Sequence, residues 1–179
     1  MKKFLTILTS FTLFASAQIF YVIDDKVEVF DPIANKKIGI ISRGTFGEKV
    51  KEDNERIILK VQGFLKNKDT KTLYATKNTM LPLIIFDDDN NKNSLEIAIA
   101  KNKVSEDQAN AWADAEILYY DTCSMCHAAH APKEHTMLEW EGIFTTMRAF
   151  AMPTDSEADV IIQYLRAHAI DGYATDDDE

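Results

Sequence analysis

The residues best suited to chemistry lie in the stretch "DTCSMCHAAH", residues 121–130. It holds both cysteines of the 179-residue chain, Cys123 and Cys126, and His127 directly follows the second one. Cys-x-x-Cys-His is the attachment pattern of c-type haem, in which two thiols add to the vinyl groups of one porphyrin and the adjacent histidine becomes the proximal iron ligand. Two residues between the thiols let one helical turn span both vinyls. The motif therefore predicts one covalently bound haem c.

The first 17 residues have the three zones of a secretory signal peptide. Two lysines precede the apolar run 4–14 and the small residues 15–17, and cleavage is expected after Ala17. The apolar run is shorter than the roughly 20 residues that a membrane-spanning helix needs. We therefore predict a signal peptide over residues 1–17 and a soluble periplasmic protein without stable membrane insertion.

Three other uses of the cysteine motif compete with haem. A redox dithiol shares the Cys-x-x-Cys spacing but expects a βαβ pattern around it, whereas here a helical pattern precedes and a loop pattern follows. A small structural disulfide is also compatible with the spacing. Zinc would need four ligands, and only His130 and His135 lie near enough in sequence to complete the set. The trailing His127, the signal peptide and the helical flanks favour haem.

The chain is acidic, with a formal net charge of -9, and loss of the signal peptide removes two further positive charges. A surface of this sign repels the phosphate backbone, so nucleic acid is excluded as a partner. The sequence also lacks a nucleophile motif and a phosphate-binding loop. It therefore predicts an electron carrier and not an enzyme, because one-electron transfer is the chemistry that a haem itself brings.

Two parts with different periodicities follow the signal peptide. Residues 18–104 carry short β-rich runs between turn residues, which predicts a small barrel; the runs are IFYVI, KVEVF, KKIGII, RIILKV, TLYA, LPLIIF and SLEIAIA. Residues 105–175 have a helical period, and Ser-x-x-Gln at Ser105 and Thr-x-x-Glu at Thr154 predict the starts of two helices. Residues 176–179 form an acidic tail. The predicted fold class is thus α+β in two parts, with the haem motif between two helices.

The sixth iron ligand must approach from the face opposite His127, so it must lie well beyond that residue in the chain. Met147 in "TTMRAF" and Met152 in "AMPTD" both meet this requirement. Met152 precedes a proline, a common context of the ligand in single-haem cytochromes, and His168 is a third candidate. The residues alone leave the choice open, because methionine is also a frequent core filler.

The C-terminal segment "CSMCHAAHAPKEHTMLEWEGIFTTMRAFAMPTDSEADVIIQYLRAHAID" resembles the last, single-haem domain of the TorC-type pentahaem cytochromes, which supply electrons to periplasmic trimethylamine N-oxide reductase. Beyond the haem motif, the shared features are the alanine-rich stretch after His127, Pro132, Trp140, Met147 with Phe150, and the ending "YLRAHA". The "GFL" at residues 63–65 is similar to the SH3-like region that precedes this domain in the family. The resemblance covers nearly the whole chain after the signal peptide.

This resemblance implies an SH3-like β-rich domain over residues 18–104 and a mainly α monohaem cytochrome c domain over residues 105–175. It implies that Met147, not Met152, is the sixth ligand. It also implies electron delivery to a periplasmic terminal reductase of the molybdenum type. The family's tetrahaem domain, which is membrane-anchored and oxidises quinol, has no counterpart in the sequence, so we expect a separate membrane-associated donor.

Two other functions compete with electron transfer. A haem-based sensor or gas-binding protein would need an open or weakly held sixth position on the iron. A scaffold would instead use the SH3-like barrel to bind a partner, with the haem domain attached.

Overall fold

Short apolar runs separated by turns form the first part of the described chain. The computed structural model describes residues 17–174, so the predicted acidic tail 176–179 and, except for Ala17, the predicted signal peptide lie outside it. The strands are β1 (Ile19–Val22), β2 (Val27–Phe30), β3 (Lys37–Ile41), β4 (Phe46–Glu52), β5 (Arg56–Gln62), β6 (Phe64–Lys66), β7 (Asp69–Tyr74), β8 (Pro82–Phe86), β9 (Ser94–Ala100) and β10 (Val104–Ser105).

All ten strands belong to one antiparallel sheet with the order β10-β1-β4-β5-β9-β2-β3-β8-β7-β6. Its longest ladder joins β5 to β9, from Arg56 opposite Ala100 to Gln62 opposite Ser94. The sheet is open, because β10 at one end and β6 at the other do not pair with each other. One apolar cluster takes buried side chains from seven strands, including Val22 of β1 and Leu73 of β7, so the sheet folds over on itself.

The predicted fold class, a small SH3-like barrel followed by a mainly α monohaem cytochrome c domain, is therefore wrong. The molecule is mostly antiparallel sheet, and three helices occupy its C-terminal part. Alternation such as buried Ile57, Leu59 and Val61 in β5 is the same in an open sheet and in a barrel, so it cannot specify closure. Strands β4, β6 and β10 correspond to none of the predicted runs.

The helices are α1 (Ala109–Cys123), α2 (Met137–Ala151) and α3 (Asp155–Ala167). The predicted start of α3 is confirmed, because Thr154 and Glu157 form its capping box. The predicted box at Ser105 is wrong: Ser105 lies in β10 opposite Tyr21, and its hydroxyl accepts hydrogen bonds from Asp107 and Asn110. Among residues 17–174, no helix is long and apolar enough to span a membrane.

A turn between β3 and β4 holds α1 against the sheet. Arg43 is almost fully buried; it donates to the carbonyl oxygen of Ala111 at 2.8 Å and pairs with Asp25 at 3.1 Å. The next residue, Gly44, has a φ of 74° and lies directly against the indole of Trp112. The position of α1 therefore depends on a glycine that leaves room for this ring.

Gly44→Ala should destabilise the fold. A Cβ at this position would lie 2.0 Å from Cζ2 of Trp112, and the left-handed backbone alone costs a residue with a side chain about 1–2 kcal/mol. With the displaced ring, we expect a loss of roughly 2–4 kcal/mol in the free energy of unfolding, measured by urea denaturation followed by circular dichroism.

Gly142→Ala is the matched control for this variant. Gly142 lies within α2, and nothing lies within 4 Å of an added Cβ there. We expect a gain of about 0.5–1 kcal/mol, because alanine loses less conformational entropy than glycine in a helix. Equal stability of the two variants would contradict the proposed role of Gly44, which is to leave space for the indole of Trp112.

Candidate functional site

Helix α1 ends at the first cysteine of the motif. The N–H of Ser124 closes the last turn on the carbonyl of Tyr120, and the chain then leaves the helix. Cys123 is half-buried against the helical core, whereas Cys126 and His127 are exposed. Both cysteines are free thiols. Cys123 is thus fixed by α1, while the other two motif residues are open to a reacting group.

Burial raises the pKa of the Cys123 thiol. Catalytic and redox cysteines have lowered pKa values, because the thiolate is the reactive form. The environment of Cys123 therefore does not favour the redox dithiol that the Cys-x-x-Cys spacing also allows.

An apolar cleft lies between the end of α1, the motif and α2. Its lining includes Tyr119, Cys123, Met125, Cys126, His127, Ile143, Phe144, Met147, Phe150 and Leu165. The structure therefore brings four predicted site residues together in one cleft: both thiols, the imidazole of His127 and the thioether of Met147.

The other two candidates for the sixth ligand lie elsewhere. Met152 is 78% exposed, does not line the cleft and ends α2 in the left-handed conformation with a φ of 48°. His168 follows α3, where its ring packs on Trp112 at 5.2 Å and its Nδ1 lies 3.0 Å from the carbonyl oxygen of Tyr164. Only Met147, at 36% exposure, shares the cleft with His127.

One hydrogen bond selects the tautomer of His127. Its Nδ1 lies 2.8 Å from the carbonyl oxygen of Ala128. A carbonyl can only accept, so Nδ1 is the donor, and in the neutral form of the ring Nε2 then keeps its lone pair. Histidines that bind metals are commonly oriented by such a bond from the opposite ring nitrogen. Nε2 of His127 is therefore the atom available to a metal.

This donor set fits a c-type haem. Two free thiols, an imidazole with an available Nε2 and a thioether border a mainly apolar surface. The cleft encloses about 100 Å³, well below the roughly 300–1,000 Å³ of ordinary ligand pockets. A group as large as a porphyrin would therefore extend towards the exposed rim, where Met125 is 71% and Phe150 is 72% exposed.

Two hydrogen bonds anchor the segment that joins the motif to α2. The hydroxyl of Tyr119 donates to the carbonyl oxygen of His130 at 2.7 Å, and burial raises the pKa of Tyr119, which keeps this donor protonated. The buried indole N–H of Trp140 donates to the carbonyl oxygen of Pro132 at 2.7 Å. The segment is therefore held by both helices although much of it is exposed.

Two features of this region were not predicted. Helix α2 was not predicted: the pattern after the motif was interpreted as a loop, although Thr136 and Glu139 carry the same capping-box signal that identified α3. His130 and His135 were considered as zinc ligands together with the cysteines. Their ligand atoms instead group with the carboxylate of Glu134, all within 4.8 Å of one another.

The chain matches no protein-family model, no curated protein and no solved structure. The resemblance to TorC-type cytochromes therefore remains a prediction from the motif and its neighbouring residues.

Protonation of Glu139 in acid should weaken the capping box at the start of α2 and so lower the stability of the fold. Its carboxylate accepts hydrogen bonds from the backbone N–H of Thr136 at 2.8 Å and from the hydroxyl at 2.9 Å, and these bonds lower its pKa. Because the pKa is lower in the folded state, the stabilisation is complete above the unfolded pKa. It is lost as the pH falls through the folded pKa.

Glu139→Gln should therefore weaken the dependence of the urea midpoint on pH below about pH 5. Glutamine can form the same capping box but does not titrate in this range. Glu157→Gln, at the equivalent position of α3, should have a similar effect because hydrogen bonds from Thr154 lower the pKa of Glu157. A wild-type pH profile in both variants would contradict this mechanism.

Proposed function

We propose that this protein is a periplasmic carrier of single electrons with one covalently attached haem c. The observation that carries the proposal is the convergence of Cys123, Cys126, His127 and Met147 on one apolar cleft. When bound, the haem supplies reversible one-electron chemistry at its iron. The thiols would attach the porphyrin, and His127 and Met147 would provide the two axial ligands.

The chain's own groups would position and shield this site. Ala128 holds the imidazole of His127 through Nδ1, so that Nε2 is presented to the metal. Tyr119, Phe144 and Leu165 are buried and form the apolar wall of the cleft. Exclusion of water from this wall lowers the local dielectric constant and disfavours the oxidised, more positive state of the site.

The rim of the cleft would serve as the contact with redox partners. Met125 and Phe150 are exposed apolar side chains beside the motif, where a partner could approach the porphyrin edge closely. The resemblance to TorC-type cytochromes supports a terminal reductase of the molybdenum type as acceptor and a membrane-associated quinol-oxidising protein as donor. The net charge of -9 suits basic docking surfaces on these partners.

A sensor or gas-binding protein is the second candidate function. The partial exposure of Met147 at the open side of the cleft favours it, because an exposed ligand can be displaced more readily than an enclosed one. The scaffold function is not proposed, because it depended on an SH3-like barrel that residues 17–174 do not form.

Attachment through both thiols predicts that the haem remains with the denatured polypeptide. Intact mass spectrometry in acid and organic solvent should show the chain plus one haem, because thioether bonds survive conditions that release a dissociable haem. Cys123→Ala and Cys126→Ala should each remove one bond, whereas Ser124→Ala, between the two thiols, should leave attachment unchanged. A mature mass equal to the bare polypeptide would rule out the proposed function.

His127→Ala should impair attachment and deprive the iron of its proximal ligand. The absorption spectrum of any haem-containing product should differ from that of the wild-type protein in both oxidation states. A wild-type spectrum for this variant would exclude His127 as the proximal ligand.

Met147→Ala should distinguish a carrier from a sensor. A methionine thioether fills the sixth position and raises the reduction potential. The substitution should abolish the sulfur-to-iron charge-transfer band of the oxidised protein and let carbon monoxide bind the reduced protein.

Met152→Ala is the matched control and should have neither effect. If the two variants exchange their effects, Met152 is the ligand; if neither alters the spectrum, methionine does not bind the iron. Carbon monoxide binding by the unsubstituted protein would favour the sensor.

A further inference from the structure

Two histidines and a glutamate meet on the short segment between the haem motif and α2. One ligand atom from each of His130, Glu134 and His135 lies within 4.8 Å of the others. Two imidazoles and one carboxylate are a common ligand set for zinc, with a fourth position left to water. We infer that these residues form a site for divalent transition-metal ions such as Zn²⁺, beside the cysteine motif but without a cysteine ligand.

The local backbone explains why these side chains converge. One turn of 3-10 helix over Pro132–Glu134 brings His130 and Glu134 together, with Nδ1 of His130 2.8 Å from Oε2 of the carboxylate. The ring centroids of His130 and His135 are 5.6 Å apart. Zinc binds nitrogen and oxygen at about 2.0–2.2 Å in a tetrahedron, so its ligand atoms lie roughly 3.3–3.6 Å apart. Side-chain rotations must therefore bring these atoms about 1 Å closer together, and the side chains of His130 and Glu134 are about half exposed, which leaves room for such rotations.

An ion pair alone does not account for this arrangement. Glu134 and His130 would be enough to form such a pair, yet His135 approaches the same point. A metal binds the neutral form of both rings and takes a lone pair from each. Metal coordination therefore uses all three groups at one point.

The three candidate ligands are held by neighbouring groups. Oε1 of Glu134 accepts from the N–H of Ala131 at 3.1 Å, and a metal at Oε2 would replace the contact of that oxygen with Nδ1 of His130. The ring of His135 stands perpendicular to the indole of Trp140 at a centroid distance of 4.9 Å. Together with the bond from Tyr119 to His130, these contacts lower the cost of ordering the site.

Zinc titration of the intact protein tests the inference. Equilibrium dialysis with metal analysis should show one saturable Zn²⁺ per chain, and bound zinc should raise the thermal unfolding midpoint because it binds only the folded site. His130→Ala, His135→Ala and Glu134→Gln should each weaken binding by at least about tenfold. Glu134→Gln is nearly isosteric and keeps an acceptor for Ala131, so its loss of zinc cannot be assigned to misfolding.

Three variants control for other modes of binding. His168→Gln and Glu106→Gln change a histidine and an exposed carboxylate outside the cluster, and both should bind zinc as the unsubstituted protein does. The double variant Cys123→Ala with Cys126→Ala should also retain zinc, whether or not the cysteines carry haem. Absence of saturable zinc, equal losses in the control variants, or loss only in the cysteine variant would each overturn the inference.

Discussion

The contact between the Arg43–Gly44 turn and the start of α1 determines where the rest of the C-terminal part lies. Arg43 is almost fully buried, and one of its hydrogen-bond partners is the backbone of α1 at Ala111. Gly44 leaves the space that the ring of Trp112 fills. Trp112 in turn packs on Tyr164 of α3. The sheet thereby fixes α1, α1 fixes α3, and the last turn of α1 presents Cys123 at the cleft.

Aromatic side chains of α1 and α2 also fix the exposed segment that joins these two helices and contains the cysteine motif. The ring centroids of Tyr119 and Trp140 are 6.3 Å apart. The Tyr119 hydroxyl and the Trp140 indole N–H each donate a hydrogen bond to a backbone carbonyl of the segment between their helices. The segment is therefore anchored on both sides, while Cys126 and His127 remain exposed between the anchors. Such an arrangement combines access for covalent attachment with a fixed position for the ligands. The same anchors hold the His130 cluster, so both proposed metal sites depend on one set of contacts.

Local sequence signals correctly predicted features that depend only on neighbouring residues, such as the start of a helix. They gave wrong predictions where the structure depends on pairing between strands that are far apart in the chain. The Thr154–Glu157 box follows from spacing along one helix, and the structure has it. The Ser105 signal has the same form, but pairing with Tyr21, far away in the chain, makes Ser105 part of a strand. The prediction of a closed barrel was wrong for the same reason, because alternation within a strand carries no information about which strands are neighbours. The Cys-x-x-Cys-His motif needs only its own spacing to be recognised, whereas the His130 cluster needs a turn at Pro132 that the spacing does not reveal.

The two methionines illustrate how backbone conformation separates roles that the sequence left open. Met152 ends α2 in a left-handed conformation that is unfavourable for a residue with a side chain, and its N–H closes the last turn on the carbonyl of Arg148. Arg148 also pairs with Asp155 at the start of α3, so this corner joins the two helices. Ligation by Met152 would require this corner to change, because its side chain lies outside the cleft. Met147 precedes the corner by more than one helical turn and lines the cleft without any change in backbone. The corner at Met152 therefore has a structural role of its own, and it holds α2 in the position that keeps Met147 at the cleft with His127.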